Sequence, residues 1–553
     1  MTDITIFQAK KIITMNPSNP EGTHIAVREG RILGVGSLED VAGWGAYELD
    51  DAFKDNVLIP GFVEAHGHIM EGAFWAFPYV GYFDRLGADG TMWKGCTSTG
   101  QVMDALKRVE AQMSDPDAML LAWGLDPLYF PGERMSKVQL DQVSATRPIF
   151  VMHASGHMAT VNSAMLQKCK ITKDSGPGVV IGADGEPNGE LHELSGMALA
   201  KEALGTLIQS LGTSDAIWHY GYSARNNGVT TISEMGAAQT DDDQVIETLK
   251  GVVNDDKFPA RLVVTYSFGL SKLSVQEQAK RALALVASDS DKLRFAGVKF
   301  LSDGSNQGFT GQSLWPGYYK GEDQGQWNAS PEQIKEGVLA FHCAGIQIHC
   351  HCNGNLAVEM FIDAVDNALQ KSPRWDHRHT VDHCQTATQA QFRRIKALDM
   401  CVNLFANHIY FWGDQHRDLV FGPERAAGMN ACATALRQGI PFSIHCDCNV
   451  TPLGGLLGMW SAVNRVTASG KVLGAHERIS AYDALHAVTL GGAYLLKLDS
   501  EVGSLECGKR ADFAVLAASP LEVDPIAIKD IPIWGTVVGG VIYANKAAGS
   551  NVQ

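Results

Sequence analysis

Positive charge is scarce in this chain. Forty-five Lys and Arg residues stand against 61 Asp and Glu residues, which gives a formal net charge of −16 over 553 residues. Such a balance repels phosphate backbones and anionic lipid surfaces. The composition therefore predicts that neither a nucleic acid nor a membrane is a partner.

Long apolar runs are also missing. No stretch of about 18 apolar residues occurs, and the start, MTDITIFQAKKIITM, lacks an apolar segment followed by a small-residue cleavage site. We therefore expect a cytoplasmic protein, and we further expect it to form a homodimer.

The cysteines lack the pattern of a cross-linked protein. There are 11 of them, an odd number, and none is arranged in the paired C-x-x-C spacing of a structural zinc site. We expect reduced thiols, and for the five named next we expect small buried side chains rather than catalytic thiols. Five of them lie within one residue of a candidate metal ligand discussed below, namely Cys350, Cys352, Cys384, Cys446 and Cys448.

Both ends of the chain are rich in short β-like segments. The runs ITIFQAKKIITMN and HIAVREGRILGVGS lie near the start, and VGSLECGKRADFAVLAAS and WGTVVGGVIYAN lie near the end. Apolar runs bounded by turn residues predict strands, and chain termini are often close in space. We predict one composite β-sandwich domain from residues 1–57 and 500–553.

The central part of the chain alternates β-like runs with helical stretches, which predicts an α/β protein with a (β/α)8, TIM-like barrel over residues 58–81 and 214–499. The predicted strands are VLIPGFVEAH, VTTISE, VVTYSF, GVKFLS, IQIHCH, HTVDHC, CVNLF and FSIHCD.

One connection is far longer than a single crossover. The step from His68 to Glu234 is 166 residues. We therefore predict an insertion domain over the barrel mouth, residues 82–213, placed after the first barrel strand. Its aromatic residues Trp123, Tyr129 and Phe130 either cap a substrate or pack in the core.

Potential metal ligands recur at the ends of the predicted strands. His66 and His68 alternate in GFVEAHGHIM, so both side chains face the same side. Because the carboxyl ends of barrel strands converge, ligands scattered in sequence can meet at one cation. Imidazoles with a carboxylate suit Zn²⁺, with Mn²⁺, Fe²⁺ or Co²⁺ as alternatives. The later strands end in Lys299, His351, His383 and Asp447.

These segments resemble the amidohydrolase superfamily, specifically its YtcJ-like (Amidohydro_3) branch, which includes N-substituted formamide deformylase. The resemblance runs nearly end to end and rests on HGH, VKFLSDGS, HCHCNGNLAVEMFIDA, HTVDHCQ, HCDCNVTP and GSLECGKRADFAVL. It implies a site with one or two metal ions. The implied ligands are His66, His68, His351, His383, Asp447 and, if it is carboxylated on its side-chain nitrogen, a bridging Lys299.

Two motifs depart from the usual family pattern. The fifth-strand motif usually reads His-x-x-Gly-Asp, whereas this chain has His351 followed by Cys, Asn, Gly354 and Asn355, with His349 as a competing imidazole. We prefer His351 because it keeps the position relative to Gly354. The last motif often reads Gly-Ser-Asp and here reads His445-Cys446-Asp447.

The resemblance implies a metal-dependent hydrolase of the amidohydrolase class that cleaves a non-peptide C–N bond by metal-activated hydroxide. Asp447 would act as general base and then as general acid. His157 or His349 would add a hydrogen-bond donor near the developing oxyanion, or would be structural.

The substrate is expected to be a small N-substituted amide, formamide or carbamate with an apolar or aromatic group. The aromatic residues that support this expectation are Phe74, Trp75, Phe77, Tyr79, Phe405, Tyr410, Phe411 and Trp412. Three alternatives stay open: a deaminase or cyclic-amide hydrolase acting on a nitrogen heterocycle, a catalytically silent metal-binding regulatory scaffold, and a metal-dependent isomerase or lyase.

Overall fold

The structure is a computed structural model that describes residues 4–130, 132, 134–320 and 325–545. The strands are β1 Ile4–Ile13, β2 Glu21–Arg28, β3 Arg31–Gly36, β4 Tyr47–Pro60, β5 Phe62–Val63, β6 Arg85–Leu86, β7 Met92–Trp93, β8 Leu120–Leu125, β9 Ile149–His153, β10 Met158–Val161, β11 Val179–Ile181, β12 Pro187–His192, β13 Val229–Ala237, β14 Arg261–Ser267, β15 Leu293–Leu301, β16 Ile348–Cys352, β17 Thr380–His383, β18 Cys401–Leu404, β19 Phe442–Ile444, β20 Phe513–Leu516, β21 Ile533–Val538 and β22 Val541–Ala544.

Helices follow most of the central strands, as an alternating β/α pattern requires. The α-helices are α1 Leu38–Ala42, α2 Met70–Ala73, α3 Thr99–Gln112, α4 Lys137–Asp141, α5 Ser163–Lys168, α6 Glu193–Met197, α7 Lys201–Leu211, α8 Ser214–Asn226, α9 Asp243–Val253, α10 Val275–Leu285, α11 Pro331–Cys343, α12 Asn355–Lys371, α13 Gln389–Ala397, α14 His408–Gln415, α15 Pro423–Gly428, α16 Cys432–Arg437, α17 Gly455–Asn464, α18 Ala481–His486 and α19 Gly492–Leu495. Two π-helical turns, 416–420 and 487–491, follow α14 and α18.

An eight-stranded parallel sheet forms the centre of the α/β fold, in the order β19-β18-β17-β16-β15-β14-β13-β5. The sheet is curled, and the ends of its two edge strands meet. The Cys446 amide after β19 donates to the Glu64 carboxylate after β5 at 3.2 Å. The rings of His66 and His445 stack with centroids 4.6 Å apart. This arrangement agrees with the predicted TIM-like barrel.

The first barrel strand is shorter than the sequence run VLIPGFVEAH suggested. Val57–Pro60 belongs to β4 in another sheet, and only Phe62–Val63 pairs with β13. Gly61 lies between these two strands. A Cβ there would lie 2.0 Å from Thr230 Oγ1, so a larger residue would not fit. One continuous apolar run therefore serves two sheets.

The two chain ends pair within one seven-stranded sheet, in the order β22-β21-β20-β4-β1-β2-β3. Strand β4 runs parallel to β1 and antiparallel to β20. Phe513 makes edge-to-face contacts with Phe7 and Phe53 in its core, and the Phe7 and Phe513 centroids are 5.7 Å apart. The sandwich predicted for these ends, and the three domain ranges, stay predictions.

The long segment between β5 and β13 contains a five-stranded sheet, ordered β11-β12-β10-β9-β8, and the hairpin β6-β7. It contacts α14, which follows β18, and the loop that follows β19. Trp412 Nε1 donates to Asp126 Oδ2 at 2.5 Å, and Arg85 Nη1 donates to the Asn449 carbonyl at 3.0 Å. Part of this segment therefore lies against the carboxyl ends of the barrel strands.

None of the helices in the described ranges is both long enough and apolar enough to cross a bilayer.

Candidate metal centre

Gly67 allows the two histidines after β5 to be held between neighbouring strands. Its amide donates to Ser233 Oγ at 3.0 Å, and the His68 amide donates to the Cys448 carbonyl at 3.1 Å. A Cβ on Gly67 would lie 2.3 Å from Tyr220 Oη. The close approach at this position explains why glycine stands between His66 and His68.

Asp447 lies among three imidazoles. Its Oδ1 is 3.7 Å from His66 Nε2 and 3.3 Å from His68 Nε2, and its Oδ2 is 3.9 Å from His383 Nδ1. The His66 ring is 5.5 Å from the His68 ring and 4.7 Å from the His383 ring. Residues separated by nearly the whole barrel sequence thus meet at the ends of β5, β17 and β19.

The environment keeps this aspartate ionised. Burial favours the neutral acid, but His66 and His68 lower the pKa of Asp447 below its usual range. Burial also opposes a charge on His68, yet its hydrogen bonds to Asp447 and Glu234 raise its pKa to about 10. The centre therefore presents an anionic oxygen next to several ring nitrogens.

His351 and His349 face different neighbours. The His351 ring is 4.5 Å from the His383 ring, and its Nε2 is 3.6 Å from Asp303 Oδ1. His349 Nδ1 lies 3.7 Å from Asp382 Oδ1, one strand away. His351 is thus in ring contact with the group around Asp447, whereas His349 contacts Asp382.

The donor set fits a divalent metal ion. His66, His68 and Asp447 each offer an atom within 4.8 Å of the others. Within the described part of the chain, the buried Nδ1 of His383 has no hydrogen-bond partner. Imidazole nitrogens combined with one carboxylate suit Zn²⁺ and related ions.

The comparisons with known proteins agree with this fold. The sequence profile of the Amidohydrolase family (Amidohydro_3) matches residues 52–544. The chain belongs to the amidohydrolase family.

Two relatives are similar to this amidohydrolase over almost their full length. The putative amidohydrolase YtcJ of Bacillus subtilis is 24% identical over 97% of this chain and 98% of its own. The N-substituted formamide deformylase of Arthrobacter pascens is 22% identical over 98% of both. An uncharacterized metal-dependent hydrolase from Pyrococcus horikoshii shares the fold, with a TM-score of 0.68 and 19% identity over 95% of this chain and 99% of that one.

Lys299 of the amidohydrolase has a charge partner that the sequence reasoning missed. It forms an ion pair with Asp382, a fully buried carboxylate, and its Nζ lies 3.3 Å from both ring nitrogens of His66. Although burial opposes ionisation, Lys299 and His66 keep the pKa of Asp382 well below its usual range. A buried lysine in an apolar strand signals that an anion is nearby, and Asp382 stands directly before His383.

Glu64 and His445 are two further buried residues that sequence reasoning did not select. Burial raises the pKa of Glu64 to about 8, and its carboxylate accepts a hydrogen bond from Cys446 Sγ at 2.7 Å. Both ring nitrogens of His445 are buried without a hydrogen-bond partner in the described ranges. All 11 cysteines are free, as expected for reduced thiols.

The predicted aromatic residues fall into two groups. Phe405 lies 6.0 Å from the His383 ring and packs in a cluster with Phe411, Trp412 and Val450, three residues beyond Asp447. The other group packs around the buried Trp123. The first group contacts the centre through Phe405, and the second group fits the core-packing interpretation. The members of the second group are Phe74, Trp75 and Tyr79.

His157 comes from the long segment between β5 and β13, and its ring lies 4.9 Å from the His351 ring. Its Nδ1 is 2.8 Å from Glu193 Oε2. The structure therefore places His157, which the sequence analysis considered as a donor, at the edge of the centre.

Proposed function

We propose that this amidohydrolase is a metal-dependent hydrolase that cleaves the C–N bond of a small, N-substituted amide, formamide or carbamate. The observation that carries the proposal is the position of Asp447, whose carboxylate lies within 3.9 Å of nitrogens from three imidazoles. A carboxylate in that position can share in holding a metal ion and can also exchange a proton with a reacting water.

His66, His68, His383 and Asp447 would hold the first ion, which we propose is Zn²⁺. When bound, it supplies a Lewis acid that polarises a carbonyl oxygen and lowers the pKa of water to about 7. His351 and a carboxylated Lys299 would be needed for a second ion. Since Asp382 already pairs with Lys299, we favour one ion and an unmodified lysine.

The chain's own groups perform the proton transfers. Asp447 accepts the proton of the attacking water and returns it to the nitrogen that leaves, so one carboxylate serves both steps. The ring of His157 hydrogen-bonds the carbonyl oxygen as negative charge develops there. His349 faces Asp382, so we give the donor role to His157.

We propose that the substrate binds on the apolar side of the centre, next to Phe405. Phe405, Phe411 and Trp412 pack together close to Asp447 and His383. Such walls favour an alkyl or aryl substituent beside the scissile bond over a charged peptide. The formamide deformylase activity named for the relative from Arthrobacter pascens supports the same class of substrate.

Metal analysis of the purified chain, combined with a screen of N-alkyl and N-aryl formamides, amides and carbamates, tests the proposal. We expect about one zinc per chain and release of an amine. Asp447→Asn should lower kcat by at least about a hundredfold, whereas Asp483→Asn, which changes the first turn of α18, should leave it unchanged.

Other outcomes would contradict the proposal. Release of ammonia from aminated heterocycles would indicate a deaminase. A metal-loaded chain that turns over none of these compounds would indicate a regulatory scaffold. A reaction without hydrolysis would indicate an isomerase or lyase.

We also propose a cytoplasmic homodimer with the three domain ranges given by the sequence. Light scattering during size-exclusion chromatography tests the dimer, and a mass of 59.7 kDa would show a monomer instead.

A further inference from the structure

Glu193 has an unusual backbone conformation for a buried acidic residue. It is 1% exposed, and its φ is +58° at the start of α6. Left-handed backbone is uncommon outside glycine and, when it persists, the surrounding contacts must hold it. Such strained residues cluster at functional sites, so the contacts of Glu193 indicate what the strain serves.

Two hydrogen bonds connect Glu193 to His157. The Glu193 carboxylate accepts from His157 Nδ1 at 2.8 Å, and the Glu193 amide donates to the His157 carbonyl at 2.6 Å. Asn328, from the loop after β15, donates to the same carboxylate oxygen at 2.7 Å. The carboxylate is therefore held from the barrel side by Asn328 and from the inserted segment by His157.

The remaining ring nitrogen of His157 is available. No described residue hydrogen-bonds His157 Nε2, and 14% of the side chain is exposed. The ring lies 4.9 Å from His351, whose ring is 4.5 Å from His383. A side chain that only stabilised the inserted segment would not need to keep one nitrogen open beside the centre.

We propose that Glu193 is a positioning residue, which holds the His157 ring by its Nδ1 so that Nε2 meets the scissile carbonyl group of the substrate. This inference rests on the proposed function and deepens it. The sequence motif GELHE then supplies the residue that orients the imidazole of SGHMA. Carboxylate–imidazole pairs fix ring orientation in this way at other enzyme sites.

The kinetic test uses the full-length, zinc-loaded protein with formanilide and the amides found in the screen. Glu193→Gln should lower kcat about tenfold to a hundredfold, with KM changed less than about threefold and the zinc content unchanged. In a His157→Ala background the same change should have less than about a twofold effect, because both act through one contact.

A matched control lies three residues earlier. Glu190 is also buried on β12 and also contacts a histidine, His192, at 3.0 Å, but it pairs with Arg134 and not with His157. Glu190→Gln should leave kcat unchanged at a temperature where the variant is folded. Equal kcat losses in both variants, additive effects with His157→Ala, or a loss of zinc in Glu193→Gln would overturn the positioning role.

A second measurement needs no substrate. In protein labelled with ¹⁵N-histidine, the His157 ring signals, assigned by their loss in His157→Ala, should shift in Glu193→Gln and stay in place in Glu190→Gln. Unchanged ring signals in Glu193→Gln would overturn the inference. If no compound in the screen is hydrolysed, the proposed function fails, while this spectrum still decides whether Glu193 controls the ring.

Discussion

At the scale of single residues, the pairing of Lys299 with Asp382 decides how charge is distributed beneath the centre. The lysine side chain is 7% exposed and the aspartate side chain 0%. Two buried opposite charges offset each other's desolvation, but either one alone is costly. A carbamate on Lys299 would instead place a second anion beside Asp382, which requires additional positive charge to be stable.

Asp382→Asn tests this pairing. We expect the free energy of unfolding to fall by about 3–5 kcal/mol, because the substitution leaves a buried ammonium unpaired. Adding Lys299→Met should recover part of the loss. Chemical denaturation measures both variants, with Asp376→Asn as the control, because the Asp376 carboxylate that pairs with Arg378 is 59% exposed.

A carboxylated lysine would give a different result. In that state Asp382→Asn would relieve repulsion between anions, so the variant would be at least as stable as the original protein. A ¹³C carbamate signal after incubation with labelled bicarbonate would also contradict the ion pair.

The residues that sequence reasoning missed share one property. His66, His68, His351, His383 and Asp447 could be selected because each ends a recognisable strand. The residues that contact these side chains are determined instead by strand register and by long-range contacts. The register pairs Lys299 with His349 and His351 with the missed Asp382. No local pattern reveals such neighbours, and the same holds for Glu193, which contacts His157 from the start of α6, 36 residues further along the chain.

At the scale of elements, three histidines join α11 to β16 and to the start of β17. The Ile348 amide donates to His379 Nδ1 at 3.0 Å, so His379 Nε2 carries the proton that it donates to His342 Nδ1 at 2.8 Å. The His379 amide donates to His377 Nδ1 at 3.0 Å. His377 and His379 each use a ring nitrogen as an acceptor, so protonation would break the bond.

Because of these histidines, we expect the free energy of unfolding to fall in acid. Burial lowers the pKa of His379 well below its usual value and also lowers that of His377. In the unfolded chain both imidazoles would have a pKa of about 6.5. The stabilisation is therefore complete above that pH and falls below it, by up to about 1.4 kcal/mol per pH unit for each ring.

Urea unfolding at pH 7.5 and at pH 5.5 measures the effect. His379→Gln should be less stable at pH 7.5 but should lose less stability between the two values than the original protein. The same pH dependence in both proteins would show that His379 does not cause it.

Element positions were more predictable than element ends. Runs such as VVTYSF and CVNLF coincide with β14 and β18, because strands of a parallel sheet are buried on both faces and read as mainly apolar segments. The run VLIPGF did not reveal that it crosses from β4 to β5, since both parts are buried and equally apolar.

At the scale of the whole molecule, an ion pair connects the sheet of the chain ends to the barrel. Arg261, the first residue of β14, binds Asp512 through Nε at 2.5 Å and Nη2 at 3.1 Å. Asp512 lies just before β20 and also accepts the Gly539 amide at 2.7 Å. Both side chains are buried, at 7% and 1% exposure, so solvent screens this pair little.

Loss of this pair should weaken the whole structure. Asp512→Asn should lower the free energy of unfolding by up to about 3–5 kcal/mol, because the buried Arg261 would keep only the more exposed Asp291 as its charge partner. The double variant Arg261→Met and Asp512→Leu should lose less than Asp512→Asn alone. Denaturant unfolding, followed both by fluorescence and by limited proteolysis, measures the loss and shows whether the two sheets unfold together.

The exposed pair between Lys94 and Asp84 provides the comparison. Its side chains are 78% and 51% exposed, so Asp84→Asn should leave the unfolding curve unchanged, as is usual for surface ion pairs. If Asp512→Asn behaved like Asp84→Asn, the buried pair would not hold the sheets together. The packing of Phe62, which a Cβ on Gly228 or Gly455 would meet, would then be the stronger connection.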